Sequence, residues 1–230
     1  MDFILEGFRQ AFNLIVSLDQ EVFGIAFLSL WISTAATLLA SVVGVPLGFA
    51  IGAIQFPGKH MTITFFNTLM SFPTVVVGLL VFAFISRQGP LGFLGILFSP
   101  TAMIIGQFIL AVPIITALTI SAVHGVDRRV RLTALTLGAN HIQTSIAVLN
   151  EARFALMAAI IAGFGRIVGE VGSAIMLGGN IRNYTRTITT AIALETNKGE
   201  FGFAIALGII LMIVSFAVNI LFRYFQQRGG

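Results

Sequence analysis

Four runs of this chain contain no charged side chain: 22–58, 61–86, 88–123 and 201–222. Each exceeds the roughly 20 residues that a helix needs to cross a hydrocarbon core of about 30 Å. The runs are continuously apolar, without the alternation of a barrel strand, so they read as helices. Only 10% of the 230 residues are charged, against about 25% in soluble domains. The chain is therefore a polytopic, all-α integral membrane protein in a single domain, 1–230.

Five spans are expected. The first covers 22–54, longer than the bilayer is thick, so it tilts, bends near Gly44, Pro46 and Gly48, or protrudes. The second covers 61–86 with a bend near Pro73, and the third 100–123 with a bend near Pro113. The fourth runs 153–178 and the fifth 201–223. Between the second and third, 87–100 is apolar yet rich in Gly and Pro, which predicts an irregular segment packed at the bundle mouth. Ahead of the spans, residues 2–18 carry Leu5, Phe8, Phe12 and Ile15 at helical spacing opposite Glu6, Arg9 and Asn13. The segment 1–20 is too polar to span and belongs in the interface plane or against the bundle. It does not read as a signal peptide, because Asp2 and Glu6 occupy the region that should be basic.

Five spans place the ends on opposite sides. With 127–151 in the cytoplasm, Lys59, Arg128, Arg129, Arg131, Arg153, Arg223 and Arg228 are inside, and Arg9, Arg87, Arg182, Arg186 and Lys198 outside. That bias favours an outside N-terminus and a cytoplasmic C-terminus. The net charge of +4 is spread over these loops and gives no nucleic-acid patch. The chain has no Cys, and His60, His124 and His141 are scattered without neighbouring ligands, so no metal site is expected. No Gly-x-x-x-x-Gly-Lys-[Ser/Thr] loop occurs, so the chain is not expected to hydrolyse ATP in that manner.

The segment 128–153 is the one long stretch that is both charged and helix-periodic, and it lies between spans. It reads as helix, turn, helix about Leu137, Gly138 and Ala139, with Thr133, Ala134, Asn140 and His141 flanking the turn. A membrane protein with one large polar element between spans presents a docking surface for a water-soluble partner. The null alternative is an ordinary cytoplasmic helical hairpin.

These residues resemble the cytoplasmic loop of ATP-binding-cassette importer permeases, whose pattern is Glu-Ala-Ala, three residues, Gly, then an apolar helix ending Ile-x-Leu-Pro. Gly138 takes the Gly position and Ala139 follows it. Leu132, Thr133 and Ala134 stand where Glu-Ala-Ala is expected, and Val148, Leu149, Asn150 and Glu151 stand at the Ile-x-Leu-Pro end. The family's Glu and Pro are both missing. The run from Arg166 through Gly169, Glu170, Gly172 and Ser173 resembles the Arg-x-x-Gly-Glu-x-Gly-Ala stretch of the molybdate, tungstate and sulfate permeases. The Thr-rich run 185–200 is similar to the helix that follows it there. With Phe56, Pro57, Gly58 and Lys59 after the first span, the resemblance covers nearly the whole chain and is greatest to the tungstate type.

The resemblance implies a type I importer permease core that moves an oxyanion, tungstate first, then molybdate or sulfate. It implies a homodimer in a bacterial or archaeal cell membrane. It also implies an ATPase subunit carrying ATP and Mg under the 127–151 loop, an extracytoplasmic solute-binding protein, and no cofactor on this chain. A stand-alone secondary transporter or channel would instead show an inverted repeat or several intramembrane ionisable groups.

Two sets of residues offer chemistry to an anion. Past Arg153 at its start, Arg166 and Glu170 are the only charges in the fourth span, and they share a helical face. They form either a structural ion pair or, with Ser173, a point where the arginine meets the anion. Outside the spans, Arg182, Thr185, Arg186 and Thr187 either line an outer gate through guanidinium and hydroxyl donors or belong to a solvated loop.

Overall fold

The long uncharged runs become the long helices. In a computed structural model describing residues 2–228, with side chains placed for 5–220 and Tyr224, α2 spans Gln20–Ala53, α5 Pro100–His124 and α11 Phe201–Arg228. The side chains of Arg223 and Arg228, counted in the charge tally, and of Asp2, weighed against a signal peptide, lie outside the described residues. Gln20–Ala53, Pro100–His124 and Phe201–Ile220 are each long and apolar enough to cross a membrane alone. By length and composition the number rises to as many as five if two bent pairs, Lys59–Met70 with Thr74–Ile85 and His141–Glu151 with Arg153–Val168, each count as one span. All regular structure among the described residues is helical.

Helix starts follow local chemistry. The Asp19 carboxylate accepts the amides of Glu21 and Val22, both at 3.0 Å, which fixes the start of α2. Ser99 caps α5 and Pro100 opens it, where a missing N–H costs nothing. Pro46 and Pro113 both lie inside unbroken helices. At 34 residues α2 is about 51 Å long, so it outreaches the hydrocarbon core.

The second span breaks rather than bends. Lys59–Met70 forms α3 and Thr74–Ile85 forms α4, 93° apart. Pro73 cannot donate an amide to α3, and its own carbonyl accepts the amides of Val76 and Val77 to start α4. The expected fourth span is likewise interrupted. Helix α8, Arg153–Val168, ends at Gly169, and α9 starts afresh over Gly172–Gly178. The Glu170 carboxylate accepts the Ser173 amide at 3.2 Å, so the side chain starts α9 where helical backbone bonds lapse. Within 87–99 only Gly92–Leu94 forms a short 3₁₀ turn, and the Phe98 amide is tied to the Leu177 carbonyl at 2.9 Å. The Thr-rich stretch becomes a further helix, α10, Ile188–Lys198, with Thr187, Thr189 and Thr190 buried.

Helices α2 and α5 form the central pair. A Cβ at Gly48 would lie 2.6 Å from the Thr116 carbonyl oxygen, and one at Gly52 would lie 3.0 Å from Val123. Small residues at this spacing let two backbones approach closely in a membrane. Ala36, Val77, Val81, Ile115 and Leu177 close a core shared by α2, α4, α5 and α9. The N-terminal helix α1, Asp2–Val16, packs on α11, where a Cβ on Gly7 would touch Ile205 at 3.0 Å. Its Leu5, Phe8 and Phe12 remain exposed, as an interfacial helix requires.

Candidate functional site

The residues singled out by the sequence fall in three separate places. The first is the polar hairpin. The Asp127 carboxylate accepts the Arg129 amide at 2.8 Å and starts α6, Arg128–Thr136. Gly138 ends it with φ +82°, while the Gly138 amide reaches the Leu135 carbonyl and the Ala139 amide the Ala134 carbonyl, both at 3.0 Å. This paired closure satisfies the last carbonyls of a helix and favours Gly at the left-handed position. Asn140 then opens α7, His141–Glu151, by a reciprocal pair with Gln143, both bonds 2.9 Å. Thr133, Leu137, Gly138, Asn140 and His141 are exposed and Ala134 and Ala139 half-buried. Leu137 is 82% exposed, and Ile142 and Ile146 are exposed beside it. Together they form an apolar ridge on an otherwise polar hairpin, the kind of surface that protein partners cover. A cleft of about 660 Å³, lined by Phe49, Gln55, His124, Arg128, Arg131 and His141 among others, separates the hairpin from the ends of α2 and α5.

The second place is the break after α8. Arg166 Nη1 lies 3.2 Å from Glu170 Oε2. The carboxylate is buried at 4% exposure while the arginine side chain is 48% exposed. Glu170 holds three helices together: it pairs with α8, accepts the Ser173 amide of α9, and its carbonyl accepts the Thr189 hydroxyl of α10 at 2.7 Å. Ser173 is buried and its hydroxyl has no partner among the described residues. Break meets break here, because α9 packs on α4. A Cβ on Gly172 would touch Val75 at 2.7 Å and one on Gly78 would touch Ser173 Cα at 2.9 Å.

The third place is a charged cluster joining the start of α2, the 179–187 loop and the end of α10. Arg182 grips Glu21 with two bonds, Nε to Oε1 at 2.8 Å and Nη2 to Oε2 at 2.5 Å. That hydrogen bond, reinforced by the carboxylate charge, raises the Arg182 pKa above its ordinary value. Arg186 Nη1 lies between Glu21 at 3.6 Å and Glu195 at 3.7 Å, and Lys198 Nζ reaches Glu195 at 3.0 Å. Arg182 is exposed and Arg186 nearly buried.

The four residues of the outer-gate reading do not form one surface. Thr185 is fully buried: its hydroxyl donates to the Gly178 carbonyl and accepts the Ile181 amide at 3.0 Å. Thr187 is buried in a reciprocal cap with Thr190. Both threonines shape the backbone, and only the two arginines can face a solute. Glu21, Glu195 and Lys59 carried no site role in the sequence. Lys59 is buried, its Nζ donating to the Gly52 carbonyl at 2.8 Å at the end of α2. Its position just after a helix end was the available signal, because cations favour that terminus.

Residues 44–229 match the family described as binding-protein-dependent transport system inner membrane component. The chain belongs to this family. It is 40% identical over 228 residues to the tungstate uptake system permease protein TupB of Peptoclostridium acidaminophilum, covering 99% of this chain and 100% of that one. To TupB of Campylobacter jejuni it is 42% identical over 219 residues, covering 95% and 92%. The molybdenum transport system permease protein ModB of Escherichia coli K12 is 28% identical over 219 residues, covering 88% and 94%. Among solved structures, the inward-facing MetNI methionine ABC transporter superposes with a TM-score of 0.74 at 16% identity, covering 91% of this chain and 96% of that one. The fold is the type I importer permease core, and the chain is a multi-pass transport subunit.

Proposed function

We propose that the chain is the permease through which tungstate enters the cell, working as a homodimer with a separate ATPase and an extracytoplasmic binding protein. The observation that carries this reading is the end-to-end identity of 40% with a tungstate permease, against 28% with a molybdenum permease. The hairpin of α6 and α7, residues 127–151, is the part that meets the ATPase, in keeping with its exposed Leu137, Ile142 and Ile146. The hairpin and the C-terminus lie in the cytoplasm, and the Glu21, Arg182, Arg186, Glu195 and Lys198 cluster faces outside. ATP and Mg bind the partner, and ATP-driven closure there rocks the helices between inward- and outward-open states. The test is accumulation of tungsten, molybdenum and sulfur in cells with and without the gene, each anion supplied at trace level. Loss of tungstate uptake that an excess of sulfate does not mimic supports the reading; selective loss of sulfate uptake refutes it.

A further inference from the structure

The exposure of Arg166 is at odds with a purely structural pair. Its side chain is 48% exposed in the last turn of α8, within a span. A guanidinium turned to lipid is costly, so intramembrane cations face a bundle interior or a water-filled path. The face of the subunit that carries Arg166 is therefore one for a second copy or for a water-filled path, not for lipid.

We propose that Arg166, together with the Thr74 hydroxyl, holds the oxyanion on its way through the membrane. The proposal rests on the oxyanion-permease reading above and names its intramembrane site. Arg166 engages Glu170 through Nη1 alone, and no partner for its Nε or Nη2 is found among the described residues. Glu170 does not depend on a second arm, because its other oxygen accepts the Ser173 amide. The arginine thus has N–H groups to offer an anion without leaving its carboxylate.

Thr74 shares a small notch with Arg166, and the remaining lining is Leu69, Met70, Phe72, Leu110, Ile114 and Ile167. Thr74 opens the twelve-residue helix α4, whose Val76 and Val77 amides both go to the Pro73 carbonyl. The positive end of that helix adds to the field of the guanidinium. A Cβ on Gly172 would lie 3.6 Å from Thr74 Oγ1, and the next residue, Ser173, is buried with an unpartnered hydroxyl. The polar side chains lining the notch, Arg166 and Thr74, can both donate and its other lining side chains are apolar, while the Glu170 carboxylate stands beside them, 3.4 Å from the same Cβ position. The two donors suit a group bearing acceptor oxygens, such as a tetrahedral oxyanion.

The free volume of the notch is about 10 Å³, room for one water. The anion therefore sits at its mouth, where a second copy of the chain would present the same pair. The neighbouring carboxylate weakens the hold, as a transport site needs: binding must favour entry yet permit release.

The test uses the whole complex of permease, ATPase and binding protein in proteoliposomes, with tungstate as the probe and uptake normalised to assembled complex. Arg166→Gln with Glu170→Gln removes both charges together, so no lone buried carboxylate remains. The double variant is expected to assemble and to lose at least tenfold in uptake. Arg166→Lys should retain part of the rate, and Thr74→Val should lose severalfold. An assembled double variant that takes up tungstate at the wild-type rate overturns the proposal. If the double variant does not assemble, Thr74→Val decides, and wild-type uptake in it is equally fatal. A wild-type complex that moves none of tungstate, molybdate or sulfate, while its binding protein stimulates ATP hydrolysis, sinks the oxyanion reading itself.

Discussion

Gly138 separates a backbone requirement from a contact requirement. Its φ is +82° and a Cβ placed on it meets nothing within 4 Å, so any penalty inside the subunit is conformational. For an L residue the left-handed conformation costs about 1–2 kcal/mol, and about 1 kcal/mol lowers the population of the native turn roughly fivefold. Gly138→Ala should therefore loosen the turn without destabilising the bundle, and Gly138→Asn, which tolerates this region, should do less. Gly138→Glu carries the same backbone cost and adds a charge beside Leu137, which is 82% exposed. The expectation is normal expression and an unchanged melting temperature in detergent for all three. Co-purification of the ATPase should be near normal for Asn, reduced for Ala and abolished for Glu. Full co-purification and normal binding-protein-stimulated hydrolysis with Gly138→Glu would refute the coupling role of the hairpin.

Other expectations follow from packing and charge. Gly48→Ala puts a methyl 2.6 Å from the Thr116 carbonyl and should destabilise by about 1–3 kcal/mol. Gly24→Ala, with nothing within 4 Å, should be neutral or stabilising by up to about 1 kcal/mol; thermal denaturation in detergent compares them. Arg182→Gln should cost little stability because the arginine is exposed and its pair with Glu21 is screened by solvent. Arg186→Gln should cost more, since the arginine is nearly buried between Glu21 and Glu195; chemical denaturation of the two variants checks the order. A reporter after Gly230 should prove cytoplasmic and a tag before Asp2 extracytoplasmic, and a protease-protection assay that finds both on one side contradicts the orientation.

The long helices were legible because length and absence of charge are local properties, and Gly138 was legible because a turn between two helical patterns needs such a residue. Pro73 signalled a bend, but neither its 93° angle nor the packing of α4 on α9 is contained in a local pattern. The break at Gly169 was hidden in an apolar run; its signal was Glu170, a carboxylate placed to receive the Ser173 amide. For Thr185 and Thr187 the sequence left a gate and a loop both open, because hydroxyl composition does not tell whether the partner is a ligand or the chain's own backbone; in the structure both are buried. The spacing of Thr187 and Thr190 as a reciprocal cap was the available clue. The bond from Arg182 to Glu21 joins residues 161 positions apart, and no periodicity reports it.

ATP-driven tungstate entry into proteoliposomes containing this chain, its ATPase and its binding protein tests the central claim most directly. The account predicts uptake that needs all three proteins and hydrolysable ATP, and that collapses with Gly138→Glu in the permease. Tungstate uptake by the permease alone, driven by an ion gradient and indifferent to ATP, would contradict it.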